Sequence, residues 1–230
     1  MPDQTIPRHI GIILDGNRRW AKKYGLPAYE GHLAGHDRVQ EVALAAFNSG
    51  VEFISMYAFS TENWKRSQEE VDKLMGLVLK SLTSDVPIMN KNNIKLRVIG
   101  SRENLSNRII KAIDSAEAST QNNTGGTLVL CFNYGGQLEI VDAVKKIIQS
   151  GVGADKVDTD LISRNIYGPE IPPIDIVVRT GGEHRISNFM LWRISYSELM
   201  FVDKFWPDMT KDDVKVIIDE YSKRSRRIGK

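Results

Sequence analysis

A chain of 230 residues, 41% hydrophobic and 26% charged, is long enough to bury a sizeable core and too ordinary in composition to hold a large disordered region. Its formal net charge of +2 is too small to imply nucleic acid, and no apolar run reaches the length of a membrane span. The start, MPDQTIPRH, lacks the apolar stretch of a secretory leader, and the single cysteine, Cys131, lies within the apolar run LVLCF, so a cytoplasmic chain with a buried thiol is expected.

Six β-branched segments alternate with amphipathic stretches. The first strand, HIGIIL at 9–14, precedes helices expected at 18–24 and 34–49, and EFISMYAF at 52–59 precedes a helix at 68–90. KLRVIG at 95–100 leads to a helix at 104–121, and TLVLCFNY at 127–134 to helices at 136–149 and 159–166. DIVVRT at 175–180, ELMFV at 198–202 and a helix at 211–225 complete the chain. This alternation predicts one α/β domain over residues 1–230, a six-stranded, mainly parallel sheet flanked by helices on both faces. Val71, Leu74, Met75, Val78, Leu79 and Leu82 form an apolar stripe at helical spacing, which in most helices is core. Thr210 to Asp213 is close to a capping box. Five of the last eight residues are basic, which suits a solvated helix end.

In parallel sheets, ligands sit beyond the carboxyl ends of the strands, and the unusual polar residues fall there. Strand one runs into Asp15-Gly16-Asn17-Arg18-Arg19-Trp20, strand two into Ser60-Thr61-Glu62-Asn63-Trp64-Lys65-Arg66, and strand five into Arg179-Thr180-Gly181-Gly182-Glu183-His184-Arg185-Ile186-Ser187. Gly16 permits a sharp turn that brings backbone amides near an anion, with Arg18 and Arg19 adding charge. There is no GxxxxGK[ST] and no GxGxxG after strand one, which argues against a mononucleotide. Asp15 in this cationic setting has two readings of about equal weight: a ligand to a divalent ion shared with phosphate oxygens, or a cap on the next helix. Arg179, Arg185 and Ser187 suit a second phosphate group, although an arginine here can equally pair with Glu183. His184 alone reads as a surface histidine, and His32 and His36, at i,i+4 spacing without HExxH, do not make a zinc site.

Taken together, HIGIILDGNRRWAKKYG, GHLAG, YAFSTENWKR, LRVIG, NYGG, IVVRTGGEHRISNFMLW, SELMF and WPD resemble, in order, the cis-prenyltransferases, most closely the bacterial undecaprenyl diphosphate synthases. The resemblance runs from about residue 8 to the C-terminus. It implies a Mg2+-dependent, head-to-tail condensation of an allylic diphosphate such as farnesyl diphosphate with isopentenyl diphosphate, giving a cis-polyprenyl diphosphate such as the undecaprenyl carrier used for cell walls. It also implies a homodimer, and a hydrophobic tunnel for the growing chain lined by the 71–82 stripe and the 34–49 helix. Asp15 would bind Mg2+ and assist departure of the allylic diphosphate, which Gly16, Asn17, Arg18 and Arg19 would hold, with Trp20 and His32 nearby. Arg179, Arg185, Ile186 and Ser187 would grip isopentenyl diphosphate, and Glu198 and His184 would contribute to the metal site. Ser60, Thr61, Glu62, Asn63, Trp64 and Arg66 would lie between the subsites, with Asn63 or the diphosphate itself accepting the proton. The basic tail would meet an anionic membrane surface at product release or, by the resemblance, carry Arg227-Ile228-Gly229 toward a partner's site.

Three positions depart from the pattern. Arg18 stands where glycine is common in bacterial members, Ala28 where an arginine commonly contacts the allylic diphosphate, and Gln137 where arginine usually follows NYGG. Arg18 is expected to replace the missing cation in part. A non-catalytic scaffold of the same fold lacks the metal-binding Asp and much of RTGGEHRIS, both present here, and a nucleic-acid-binding protein would need an aromatic platform the tail lacks.

Overall fold

The structure is a computed structural model, and it describes residues 5–224, so Arg227-Ile228-Gly229 lies outside the described residues. Six strands form a single sheet: β1 (His9–Ile13), β2 (Phe53–Ser60), β3 (Lys95–Ile99), β4 (Thr127–Tyr134), β5 (Ile176–Arg179) and β6 (Glu198–Phe201). Their spatial order is β3-β4-β2-β1-β5-β6 and every pairing is parallel. A parallel sheet needs crossovers that cover both faces, and all five residues of β1 are accordingly buried. The chain first builds outward from β1 through β2, then returns to place β5 on the other side of β1. That reversal opens a crevice at the carboxyl ends of β1 and β5, where ligands bind in open α/β sheets.

The helices are α1 (Asn17–Lys23), α2 (Ala28–Asn48), α3 (Gln68–Leu82), α4 (Val86–Lys91), α5 (Asn107–Thr120), α6 (Gly136–Gln149), α7 (Thr159–Asn165) and α8 (Lys211–Lys223). Residues of α2, α3, α4, α5 and α8 pack with the sheet in one large apolar cluster that includes Val42, Leu74, Met89, Ile113 and Ile217. A smaller cluster forms on Val129, Cys131 and Val177 with Ile171, Phe189 and Met190. Cys131 is fully buried, and burial pushes its thiol well above the ordinary range.

Two helix expectations needed correction. The helix expected at 34–49 starts at Ala28, because Gly31 and Gly35, which weaken a helix in isolation, are where α1 packs against it. A β-carbon on Gly31 would lie 2.0 Å from the Asn17 carbonyl oxygen, and one on Gly35 would lie 2.3 Å from Asn17 Oδ1. The helix expected at 68–90 breaks between Leu82 and Val86, since in a continuous helix Pro87 would have no N–H to give to the Thr83 carbonyl and its ring would crowd that oxygen, whereas in the first turn of α4 it is tolerated. The Thr210–Asp213 capping box is formed: Asp213 Oδ2 accepts the Thr210 amide at 2.7 Å. No helix among the described residues is long and apolar enough to cross a membrane.

Candidate active site

Asp15 follows β1 directly and its backbone is fixed by Thr180, whose hydroxyl oxygen accepts the Asp15 amide at 3.0 Å and whose O–H donates to the Asp15 carbonyl at 2.7 Å. Gly16, not Asp15, occupies the cap position of α1, with φ 103° and no side-chain cap. A side chain there would be strained and would meet Phe205 at 2.6 Å. Asp15 Oδ1 accepts the Gly16 amide at 2.6 Å and lies 3.1 Å from Arg19, while Oδ2 accepts from Arg179 at 2.8 Å. The capping alternative is thereby removed. Burial raises the Asp15 pKa, but the hydrogen bond and charge of Arg179, followed by Arg19, outweigh it and hold the carboxyl below its ordinary value. Asp15 is therefore ionised throughout the neutral range.

Arg179, only 4% exposed, braces the site. One terminal nitrogen donates to the Arg185 carbonyl and to Ser187 Oγ at 2.7 Å, and the other to Asp15. Three of its five N–H groups are thus engaged within the protein, and buried Nε has no partner. Ser187 and Asn188 have positive φ, 47° and 64°, a conformation uncommon for such residues that aims this turn at the crevice. Glu183 takes both arginines offered to it, Arg185 at 2.5 Å and Arg19 at 3.3 Å.

An apolar cavity of about 1030 Å3 runs from this crevice between the sheet and α2, α3 and α4. Asp15, Asn17, His32, Ser60, Glu62, Asn63, Arg66, Arg179, Arg185 and Ser187 line its polar end. Leu74, Val78 and Leu82 of the α3 stripe line its apolar part, while Met75 and Leu79 pack against the large cluster. The stripe is thus part wall and part core.

Other expected residues do not line this cavity. The Trp20 indole donates to Asp208 at 2.7 Å, and the Trp64 indole to Asn133 at 2.8 Å, so both are tied to the scaffold. Gly16 caps α1, Arg18 lies on the exposed side of that helix, Thr61 opens a 3-10 turn, and none of these or Ile186 lines the cavity. His184 is exposed and stacks on Phe201 with ring centres 5.1 Å apart. Glu198 pairs in register with Ile176, three residues before Arg179, so it stands at the opposite end of the sheet from Asp15 and binds Arg224 at 2.8 Å. Within one chain Glu198 does not join Asp15. No group of three or more metal-ligating side chains occurs among the described residues.

Several contributors were not singled out from sequence. Glu70, in the first turn of α3, gathers Arg66 at 2.9 Å, His32 at 3.3 Å and Arg18 at 3.9 Å. Burial lowers the His32 pKa more than the Glu70 hydrogen bond raises it, so His32 is neutral at neutral pH. Asn188 joins three segments: its side chain donates to Glu62 at 2.9 Å and accepts the Gln137 amide at 2.8 Å, and its carbonyl accepts the Gly136 amide. The loop at Gln137 is thus held through backbone groups without an arginine. Deeper, Arg193 and Glu139, 3% and 0% exposed, form an ion pair at 2.9 Å, and Glu139 also accepts from the Tyr134 hydroxyl at 2.6 Å. Asn63 Oδ1 accepts the Ser60 amide at 3.0 Å, which ties its side chain to the turn.

The whole arrangement has close relatives. A family model described as putative undecaprenyl diphosphate synthase matches residues 13–229. An isoprenyl transferase of Neisseria gonorrhoeae is 42% identical over 226 residues, covering 98% of this chain and 90% of that protein. The ditrans,polycis-undecaprenyl-diphosphate synthase ((2E,6E)-farnesyl-diphosphate specific) of Escherichia coli strain K12 is also 42% identical, covering 96% and 89%. Among solved structures, lavandulyl diphosphate synthase from Lavandula x intermedia in complex with dimethylallyl diphosphate superposes with a TM-score of 0.94 at 31% identity, covering 99% of this chain and all of that one. A probable undecaprenyl diphosphate synthase from Campylobacter jejuni gives 0.84 at 29% identity, covering 98% and 100%. With a polar crevice at the carboxyl ends of β1 and β5, an apolar cavity behind it and a family match over nearly the whole length, the chain belongs to the undecaprenyl diphosphate synthase family of prenyltransferases.

Proposed function

We propose that the protein condenses isopentenyl diphosphate with an allylic diphosphate, farnesyl diphosphate being the primer of choice, to give an undecaprenyl-type cis-polyprenyl diphosphate. The observation that carries this reading is one ionised carboxylate flanked by Arg19 and Arg179 at the mouth of an apolar cavity of about 1030 Å3. Breaking an allylic carbon–oxygen bond builds negative charge on the departing diphosphate, and fixed cations beside it stabilise that change preferentially. Arg19 and Asn17 hold the allylic diphosphate, and Arg185, Ser187, Asn188 and the remaining terminal N–H of Arg179 hold isopentenyl diphosphate. The cavity takes the prenyl chain and keeps water from the electron-poor fragment. Because a carboxamide such as that of Asn63 is a poor base, a diphosphate oxygen is the better proton acceptor.

Mg2+ fits this site. It is commonly bound by one or two carboxylates together with substrate phosphates, and Asp15 offers one half-buried carboxylate with hard oxygen donors beside the proposed diphosphate seat. Bound there, the ion would neutralise charge on the leaving group. Glu198 would have to come from a second copy of the chain to take part, which accords with a homodimer, and a buried free cysteine suits a cytoplasmic enzyme.

The test is incubation of purified protein with Mg2+, labelled isopentenyl diphosphate and, in separate reactions, farnesyl or dimethylallyl diphosphate, followed by sizing of the products. Long products from farnesyl diphosphate are expected. Absence of product with either primer overturns the reading.

A further inference from the structure

At the outer edge of the sheet, three strand positions from β1, lies a second cleft of about 320 Å3. Strand spacing puts β3 about 14 Å from β1, so the cleft is separate from the crevice at Asp15. Its lining draws four cations from four segments: Arg97 on β3, Arg102 in the following loop, Lys146 on α6 and Arg164 on α7. Glu117 of α5 is the one carboxylate in that lining among the described residues.

Glu117 and Glu170, the carboxylates beside Arg97, are already engaged. Glu117 accepts the Val98 amide at 2.8 Å, which closes the exposed edge of β3, and pairs with Arg97 at 3.1 Å. Glu170 pairs with the other end of Arg97 at 2.6 Å, and the buried Nε of Arg97 has no partner. Arg102 stays 3.8 Å from Glu117. Among the described residues Arg164 has neither an ion pair nor a hydrogen bond, and Lys146 reaches the Asn165 carbonyl at 3.4 Å and the face of Tyr167 at 5.7 Å. Two cations without carboxylates and a third loosely paired thus meet in one concavity. Like charges gathered around a concave, partly desolvated surface repel one another unless an anion joins them, and low-dielectric walls strengthen their pull on one.

We propose that this cleft is a second anion site, for a phosphate-bearing ligand, and that it acts independently of prenyl transfer. Guanidinium groups match the oxygens of phosphate in paired hydrogen bonds, and the cleft has room for one phosphate or diphosphate group. Free phosphate and a phospholipid headgroup share this chemistry.

The experiment is calorimetric titration of inorganic phosphate, without metal, into the wild-type protein, a Lys146→Gln/Arg164→Gln double variant and Arg185→Ala. Both replaced cations of the double variant are exposed, so its fold and its prenyl transfer should be unchanged. At least tenfold weaker phosphate binding is expected in the double variant, with the binding retained in Arg185→Ala and in a charge-preserving Lys146→Arg/Arg164→Lys control. Wild-type affinity in the double variant, or loss of all binding in Arg185→Ala, overturns the site. Sedimentation with phosphatidylcholine vesicles, with and without phosphatidylglycerol, separates the sources. Phosphatidylglycerol-dependent sedimentation that the double variant loses identifies a headgroup, and phosphate binding without sedimentation identifies a soluble anion. Neither signal in the wild-type protein also overturns the site.

Discussion

Asp15 shows how much a single position owes to its surroundings. Both its oxygens are bonded, to the Gly16 amide and Arg19 on one side and to Arg179 on the other, so the carboxylate is locked in orientation as well as ionised. Asp15→Asn keeps the shape and removes the charge. Turnover should fall about 10²- to 10³-fold, the loss typical when one electrostatic stabiliser of a transition state is removed. Steady-state rates with a parallel thermal melt check this, and near-normal turnover would leave Asp15 with a packing role. Arg18 is 63% exposed and sits 3.9 Å from Glu70, in the same cluster as His32, whereas Ala28 contributes no charge. Arg18→Ala is expected to raise KM for the allylic diphosphate while leaving kcat nearly unchanged, the mark of lost uniform binding. An unchanged KM would end the idea that Arg18 compensates for Ala28. Asp15, Arg179 and Ser187 were legible because their motifs sit at strand ends. Glu70 and Asn188 were not, because each matters through partners far away in sequence.

Between elements, close packing sets positions that propensity opposes. Gly31 brings α2 onto the Asn17 backbone, so in Gly31→Ala the added methyl meets a carbonyl that cannot swing aside. A loss of about 1–3 kcal/mol, as for other overpacked sites, is expected in urea unfolding, together with impaired turnover as Asn17 shifts. The Arg193–Glu139 pair ties the segment after Ser187 to α6, with Arg193 also bonding the Gly168 carbonyl at 2.8 Å. Glu139→Gln should cost about 3–5 kcal/mol because it leaves a buried guanidinium without its counter-charge. Glu139→Leu/Arg193→Met, which removes both charges, should cost less than Glu139→Gln. The reverse ranking in urea unfolding would show that the buried charges are not what holds the segment. The α3–α4 break was hidden because the apolar periodicity continues past Leu82, while Pro87 decides the backbone.

Across the whole molecule, acid stability should report on the sheet. His9 is buried in β1, with Nδ1 donating to the Pro172 carbonyl at 2.9 Å and Nε2 accepting from the Ser55 hydroxyl at 2.8 Å. Burial, with smaller contributions from Arg193 and Arg8, lowers its pKa from 6.5 to about 4, so the fold prefers neutral His9. The unfolded chain binds the extra proton first. Stability is therefore full above about 6.5 and declines as pH falls toward 4, by up to about 3 kcal/mol in total. Urea midpoints measured across that range should show the decline, and a His9→Gln variant should flatten it. An equal decline in the variant would assign the effect to other groups.

The order of elements, the six strands, the parallel class of the sheet and the strand-end motifs followed from the sequence alone, because periodicity and turn residues are local properties. The direction of the chain's reversal at β1, the division of the α3 stripe into cavity wall and core, the removal of Asp15 from a capping role and the separation of Glu198 from Asp15 were decided only in three dimensions. Each depends on which strands become neighbours and on how closely two helices approach, and no window of sequence contains that information.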